Sequence, residues 1–402
     1  MFNLFRVADM NAFLKEKLAV SGNGEYAALL LVTVLTFMGF YCPQPLLATV
    51  ATEAHVSQPV ASLMMTVTIL PFAVAPFLYG KLLHFLTLTR LLMLALIGAG
   101  ASLCLAGLSG SFAPALFFRT IQGILLPAIL LCLTTRLGVM YSGRTLQTRM
   151  ATYAAMTMVG AYGGRILAGV LCSAFSTGVT LVSFGVMQLL AVFPALLIAD
   201  AEKIGSHEFT PSAVLEFLCD KKLLPVLLIG PVCIFGYSAV LNFLPFHLRH
   251  LDSAISESTV GLVYICGIVS ACVTMGSRRL LKILRGEWNL LLAATVVFFL
   301  FLPLFAAPSM VASCAAMLGA SVGFAIIYGN SPGMVNRASA YNKGMTNSMY
   351  LCIYYLCSAL GSVIPVMVYD SFGSIAFILL EIGIMAADAA LILFARNRIT
   401  LK

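Results

Sequence analysis

Residues 223–246 read LLPVLLIGPVCIFGYSAVLNFLPF, a run without one charged side chain. About 20 consecutive apolar residues are enough to cross the hydrocarbon core of a bilayer as a helix, so this stretch predicts a transmembrane span. Stretches of the same kind lie at 26–50, 60–80, 90–110, 114–138, 149–172, 178–199, 258–276, 288–306, 308–329, 344–368 and 374–395. Together they predict an all-α integral membrane protein of twelve helices, numbered span 1 to span 12 in chain order, with 223–246 as span 7.

The charges between the spans predict an orientation. If the N-terminus is cytoplasmic, the cytoplasmic gaps hold Arg6, Lys15 and Lys17, Lys81 and Arg90, Arg144 and Arg149, Lys203, Lys221 and Lys222, Arg278, Arg279, Lys282 and Arg285, Arg337 and Lys343, and Arg396, Arg398 and Lys402. The opposite gaps hold Arg249 alone. Short loops rich in Lys and Arg stay in the cytoplasm, which places both termini inside, as an even number of spans requires.

Composition agrees with a lipid environment: 61% of residues are hydrophobic and 9% charged, too few charges to clothe a water-facing surface. The formal charge of +8 sits in loops beside spans and follows the orientation rule, with no basic groove for nucleic acid. Of eleven cysteines, ten from Cys42 to Cys357 lie within apolar spans and only Cys219 in a loop. No CxxC or Cys/His metal spacing occurs, so they read as small core residues and no metal or cofactor is expected. In residues 1–25, Phe2, Phe5, Val7, Met10, Phe13, Leu14 and Leu18 alternate with charges, which suggests an interfacial helix on the cytoplasmic face or a disordered tail. No A-x-A-like cleavage site follows a short apolar core.

The longest polar connection, 200–222, divides the chain into bundles at 26–199 and 223–395, with 396–402 as a cytoplasmic tail. A weak repeat supports the division. Gly80 corresponds to Gly276, Pro45 to Pro245 and Gly164 to Gly361, all at offsets of 196–200. Two six-helix halves that rock about a site near the midplane are a transporter architecture.

The segment Leu116-Phe117-Phe118-Arg119-Thr120-Ile121-Gln122-Gly123 resembles the fourth-helix motif of the major facilitator superfamily, in which Gln-Gly follows an arginine at three and four positions. Three further stretches resemble the arabinose-efflux-type permeases among its bacterial drug:proton antiporters: Tyr41-Cys42-Pro43-Gln44-Pro45-Leu46-Leu47, Gly163-Gly164-Arg165-Ile166-Leu167-Ala168-Gly169, and Tyr350 through Gly361 (YLCIYYLCSALG). With Asn242-Phe243-Leu244-Pro245-Phe246 the resemblance covers nearly the whole chain. It implies the major facilitator fold, two pseudo-symmetric bundles and proton-coupled export. It fails in the loop after span 2, usually Gly-x-Leu-Ala-Asp-Arg-x-Gly-Arg-Lys. Here Gly80-Lys81-Leu82-Leu83-His84 puts histidine where the family has aspartate. The resemblance implies a gating role for Gly80, His84, Gly163 and Gly164, and His84 would make such a gate pH-dependent, because imidazole changes charge near neutrality. An ordinary helix-end histidine fits as well.

Polar residues inside spans are costly and mark function or a specific structural bond. Arg119 and Arg165 stand at membrane depth, where a charge costs roughly 2.5–3.5 kcal/mol on insertion scales, so neither should face lipid. Arg119, with Gln122 one turn later on the same face, reads either as a substrate-binding or proton-relaying cation or as a structural clamp on carbonyls. Arg165, among Gly160, Gly163, Gly164 and Gly169, reads as a site cation or a clamp where helices approach closely. Glu381 and Asp388 are the only acids well inside a span, seven residues apart on nearly one helix face, and either could carry a coupling proton. No acid lies between Glu25 and Glu53 in span 1. Tyr41, Gln44, Tyr237, Asn242, Asn347, Tyr350, Tyr354 and Tyr355 complete the candidate lining, which suits an amphipathic organic ligand. An interfacial tyrosine belt accounts equally for Tyr41 and Tyr237.

The reading is a secondary transporter in the bacterial inner membrane, expected as a monomer, with a small-molecule substrate, the lipid bilayer and protons as its partners. An organic-anion carrier using Arg119 and Arg165, and a lipid-flipping or scaffold protein, remain the alternatives. No G-x-x-x-x-G-K-[ST], HExxH or GxSxG occurs, so neither ATP-driven transport nor an intramembrane enzyme is expected.

Overall fold

The computed structural model describes residues 22–75, 79, 86–200, 211–275 and 277–398. Gly80, His84, Gly276 and most of the N-terminal segment lie outside them. Among the described residues every regular element is helical. Helices long and apolar enough to cross a membrane run over Asn23–Glu53, Leu88–Leu108, Phe112–Met140, Gly143–Ala174, Thr177–Ala195, Leu224–Leu251, Glu287–Ala306, Met310–Ala338 and Lys343–Arg398, and the shorter apolar helices Gln58–Ala73 and Glu257–Val273 occupy the places of spans 2 and 8. The 56 residues of Lys343–Arg398 would extend about 84 Å as one helix, nearly three times the hydrocarbon thickness. They form two crossings, divided at Gly373, whose φ of 80° breaks the helix in a region open to glycine at no steric cost. The twelve expected spans are thereby accounted for. Among the described residues of the polar connection at 200–222 a short helix runs over Pro211–Leu218, which hydropathy alone did not indicate.

Span 1 is interrupted for a local reason. Its helix Gly22–Tyr41 stops before Pro43 and Pro45, passes through a 3-10 turn at Gln44–Leu46 and resumes as Leu47–Glu53. Two prolines remove two ladder donors, so regular α-helix cannot continue there.

The residues pack into two compact units. The first holds the described residues of Met1–Tyr41, Leu78–Gly164 and Gly178–Ser206; the second holds those of Cys42–Phe77, Arg165–Thr177 and His207–Lys402. In the first unit Glu25 accepts from Arg136 Nε at 2.7 Å and Nη2 at 3.1 Å, and from the Ala199 amide at 2.6 Å, tying together the ends of spans 1, 4 and 6. A side chain at Gly164 would put its Cβ 2.6 Å from Met38 Cα of span 1. In the second unit a Cβ at Gly361 would strike the Phe235 carbonyl of span 7. Both the glycines and their partners are separated by 197 positions, so the faint sequence repeat is matched by equivalent helix contacts. Small residues allow such close approach, and dispersion replaces the hydrophobic drive that lipid does not supply.

Candidate functional site

Two polar clusters are built inside the spans, one in each unit. In the first, Pro43 has no N–H to offer the Gly39 carbonyl four residues earlier. That carbonyl instead accepts from Arg119 Nη1 at 3.4 Å and Gln122 Nε2 at 3.3 Å, while Arg119 Nη2 donates to the Phe40 carbonyl at 3.0 Å. Arg119 also donates to Gln122 Oε1, and Gln122 Nε2 reaches Gln188 Oε1 at 3.2 Å. Arg119, Gln122 and Gln188 are all fully buried. The planar guanidinium fork suits two successive carbonyls, so the fourth-helix arginine braces the bend of span 1. Tyr41, at that bend, stacks on Phe40 with ring centroids 4.3 Å apart. Gly163, unlike Gly164, has open space where a Cβ would stand.

The second cluster joins spans 5, 1, 7 and 11 in a line. Arg165 Nε donates to Gln44 Oε1 at 2.6 Å, Gln44 Nε2 donates to Asn242 Oδ1, and Asn242 Nδ2 donates to the Ser362 carbonyl at 2.8 Å. Gln44 and Asn242 are 198 positions apart, and Arg165 and Ser362 are 197 apart. The chain therefore links repeat-equivalent positions of the two sequence halves, its outer members being equivalent to one another as are its inner ones. Thr66 of span 2 meets Ser362 Oγ at 2.6 Å. The Arg165 guanidinium lies 5.4 Å from the Tyr264 ring centre. Tyr264 in turn donates to the Leu241 carbonyl at 2.8 Å, which Pro245 leaves without its helical donor just as Pro43 does for Gly39.

The other candidates are dispersed. Tyr237 is 1% exposed, stacks on Phe324 at 4.1 Å and meets Ser321 at 3.1 Å; so deep a ring is not part of an interfacial belt. Tyr354 is buried between Tyr328, Tyr350 and Tyr355, and Tyr355 packs on Phe72 at 4.6 Å. Asn347 is exposed and accepts from Asn336 at 2.5 Å near the end of span 10, apart from both clusters. Glu381 and Asp388 are fully buried; Asp388 Oδ2 accepts from Thr295 at 2.8 Å.

Sequence reading missed Gln188, Tyr264, Ser362 and Thr66. A proline four residues after a carbonyl was the available signal for Tyr264, and an amide in an apolar span the signal for Gln188. It also missed the partners of Arg249, which pairs with Glu257 and donates to Thr49 at 3.1 Å, while Thr49 donates to Glu257 at 2.8 Å and Ser173 to the other carboxylate oxygen at 3.5 Å. Among the described residues no group of three His, Cys, Asp or Glu side chains could hold a metal ion.

Apolar helices long enough to cross a bilayer, two sequence halves in repeat register and polar side chains buried between helices are an architecture of membrane transporters. A family model described as the Major Facilitator Superfamily matches residues 29–398, and the chain belongs to that superfamily. It is 26% identical over 364 residues to the uncharacterized MFS-type transporter YybF of Bacillus subtilis (strain 168), covering 86% of this chain and 88% of that protein. It is 22% identical over 338 residues to an uncharacterized transporter of Buchnera aphidicola subsp. Baizongia pistaciae (strain Bp), covering 81% and 82%. Among solved structures it is similar to an inward-facing, occupied bacterial homolog of the human lysosomal transporter Spinster, with a TM-score of 0.72 and 13% identity over 93% of this chain and 96% of that one. The nucleoside transporter NupG gives 0.72 and 14%, covering 92% and 99%. The human organic anion transporter MFSD10 gives 0.66 and 18%, covering 93% and 100%. At such identities the likeness is one of fold.

Proposed function

We propose that this transporter exports a small amphipathic organic compound by alternating access, in exchange for protons. In this reading it is a monomer of the bacterial cytoplasmic membrane, with 26–199 and 223–395 as the two moving bundles and 200–222 as the cytoplasmic linker between them. The observation that carries the reading is the buried chain Arg165–Gln44–Asn242–Ser362. Hydrogen bonds between amides of opposite halves are exchangeable at small cost, since a ligand offering a donor and an acceptor replaces one partner by another. Aromatic rings at Tyr237, Tyr350, Tyr354 and Tyr355 supply apolar surface in the same half as Asn242. Arg119 and Gln122 serve the site by holding the bend that presents Tyr41 and Gln44, and Gly163 and Gly164 lie where span 5 moves against span 1.

The test is a panel of amphipathic cations, neutral compounds and organic anions, scored by thermal stabilisation of purified protein, because a ligand of the folded state raises stability by mass action. Uptake of the best stabiliser into proteoliposomes should respond to an imposed pH gradient, and Asn242→Leu or Gln44→Leu should abolish both stabilisation and uptake. A response to sodium or counter-substrate alone replaces proton coupling by another mode. Stabilisation by organic anions alone favours the second reading, an anion carrier. The observation behind that second reading is that no Asp or Glu occurs between Glu53 and Asp200, so Arg119 and Arg165 stand in a stretch of spans without acids.

Orientation is tested separately. Single cysteines at Ser57 and Ser371, both exposed, should react with impermeant reagents from outside the cell, and one at Ser206 should not. The opposite pattern inverts the topology.

A further inference from the structure

Glu381 is the most anomalous polar group among the described residues. It is fully buried in the helix that forms span 12, and neither carboxyl oxygen has a hydrogen-bond partner. It faces Gly236 of span 7, where a Cβ would stand 2.7 Å from Oε2, with Met385 and Ile384 beside it. A single methyl group on span 7 would fill the place the carboxyl occupies. Asp388, two turns on, has one oxygen on Thr295 and the other unpartnered.

An ionised carboxylate in that setting, with no donor and no cation, carries the full cost of a buried charge, so the packing seen here requires the neutral acid. A metal cation is a poor occupant. Seven residues of helix separate the two carboxyls by about 10 Å, too far to share an ion, and the atoms beside the Glu381 carboxyl at Gly236 are the hydrocarbon of Ile384 and the methyl of Met385. The proton is the ligand that the site can hold.

We propose that Glu381 is the site of the coupled proton and that its occupancy sets how span 7 packs against span 12. The inference rests on the proton-coupled reading above. With the proton bound, Glu381 packs against Gly236. When the proton leaves, the carboxylate must gain water or a donor, and span 7 has to part from span 12 at Gly236. Span 7 carries Asn242 less than two turns further on, so the movement reaches the Gln44–Asn242 hydrogen bond without any direct contact between proton and substrate. The titratable neighbours are Cys233 on the same face of span 7, within electrostatic reach of both acids, Tyr350 of span 11, near Asp388 and Cys233, and Asp388 itself. His247 lies three turns along span 7, bonded to Ser313. Span 9 brings Thr295 and, at its far end, Glu287 paired with Arg337, while Gln58–Ile69 and Leu302–Ala306, which pack on the stretch Ile364–Arg398, bring none.

The experiment uses full-length protein in lipid, with protons as the probe. Infrared spectra of the wild type should contain the C=O stretch of a neutral carboxylic acid without hydrogen bonds. Glu381→Gln, neutral and nearly isosteric, should insert and melt like the wild type yet lose that band, whereas Asp388→Asn should keep it. Deuterium exchange of backbone amides 233–240, corrected for the chemical rate, should rise at least about tenfold from acid to alkaline pH in the wild type and stay flat in Glu381→Gln, a factor equivalent to 1.36 kcal/mol. A band unchanged in Glu381→Gln, or exchange that rises equally in both proteins, overturns the inference. Wild-type transport that ignores a pH gradient while both signatures persist removes the coupling role and the antiport reading together, leaving only a protonated structural acid. Gradient-driven transport that survives in Glu381→Gln removes Glu381 alone.

Discussion

Arg119→Ala should lower the melting temperature and abolish transport, because it strips donors from the Gly39 and Phe40 carbonyls at the bend of span 1. A buried acceptor that loses its donor costs roughly 1–3 kcal/mol, and Pro43 has no N–H with which to replace the one withdrawn from the Gly39 carbonyl. One donor withdrawn from each of two carbonyls and the lost packing of a fully buried side chain together put the destabilisation on the order of a few kcal/mol. Arg119→Lys should recover part of the stability and little of the transport, since an ammonium is a point charge and cannot fork between successive carbonyls. Thermal melting in detergent, beside transport normalised to folded protein, checks both halves of the claim. An Arg119→Ala protein that melts as the wild type does would show that the clamp is dispensable; one that melts early but transports normally would confine the arginine to folding.

The second large effect contrasts neighbouring glycines. Gly164→Ala would drive a methyl group into Met38 Cα and the Met38 carbonyl at 2.6 and 2.8 Å, and backbone, unlike a side chain, cannot turn aside. Spans 1 and 5 must separate, at a cost of about 1–3 kcal/mol or more for overpacking, and melting should fall accordingly. Gly163→Ala meets nothing within 4 Å and should be neutral or gain up to roughly 1 kcal/mol from helix propensity. If movement of span 5 on span 1 is part of the transport cycle, Gly164→Ala also loses transport beyond its loss of folded protein. Equal melting temperatures for the two variants would mean that the spans do not approach this closely.

The number of spans, the all-helical class and the superfamily were legible in the sequence. The reason is that bilayer thickness and the cost of buried charge act on each segment by itself: 223–246 needs no partner to be recognised as a crossing. The repeat was faintly legible too, since Gly164 and Gly361 owe their identity to equivalent contacts. Polar residues at depth could be singled out for the same reason, by cost alone. What they bond to could not, because a partner is a matter of which helix faces which, and that depends on the packing of the entire bundle. Only the tertiary structure joined Gln44 to Asn242 across 198 positions, set Asn347 apart from them, put Arg119 on the carbonyl that Pro43 had left open and on its neighbour, and left Glu381 against a glycine with no donor in reach.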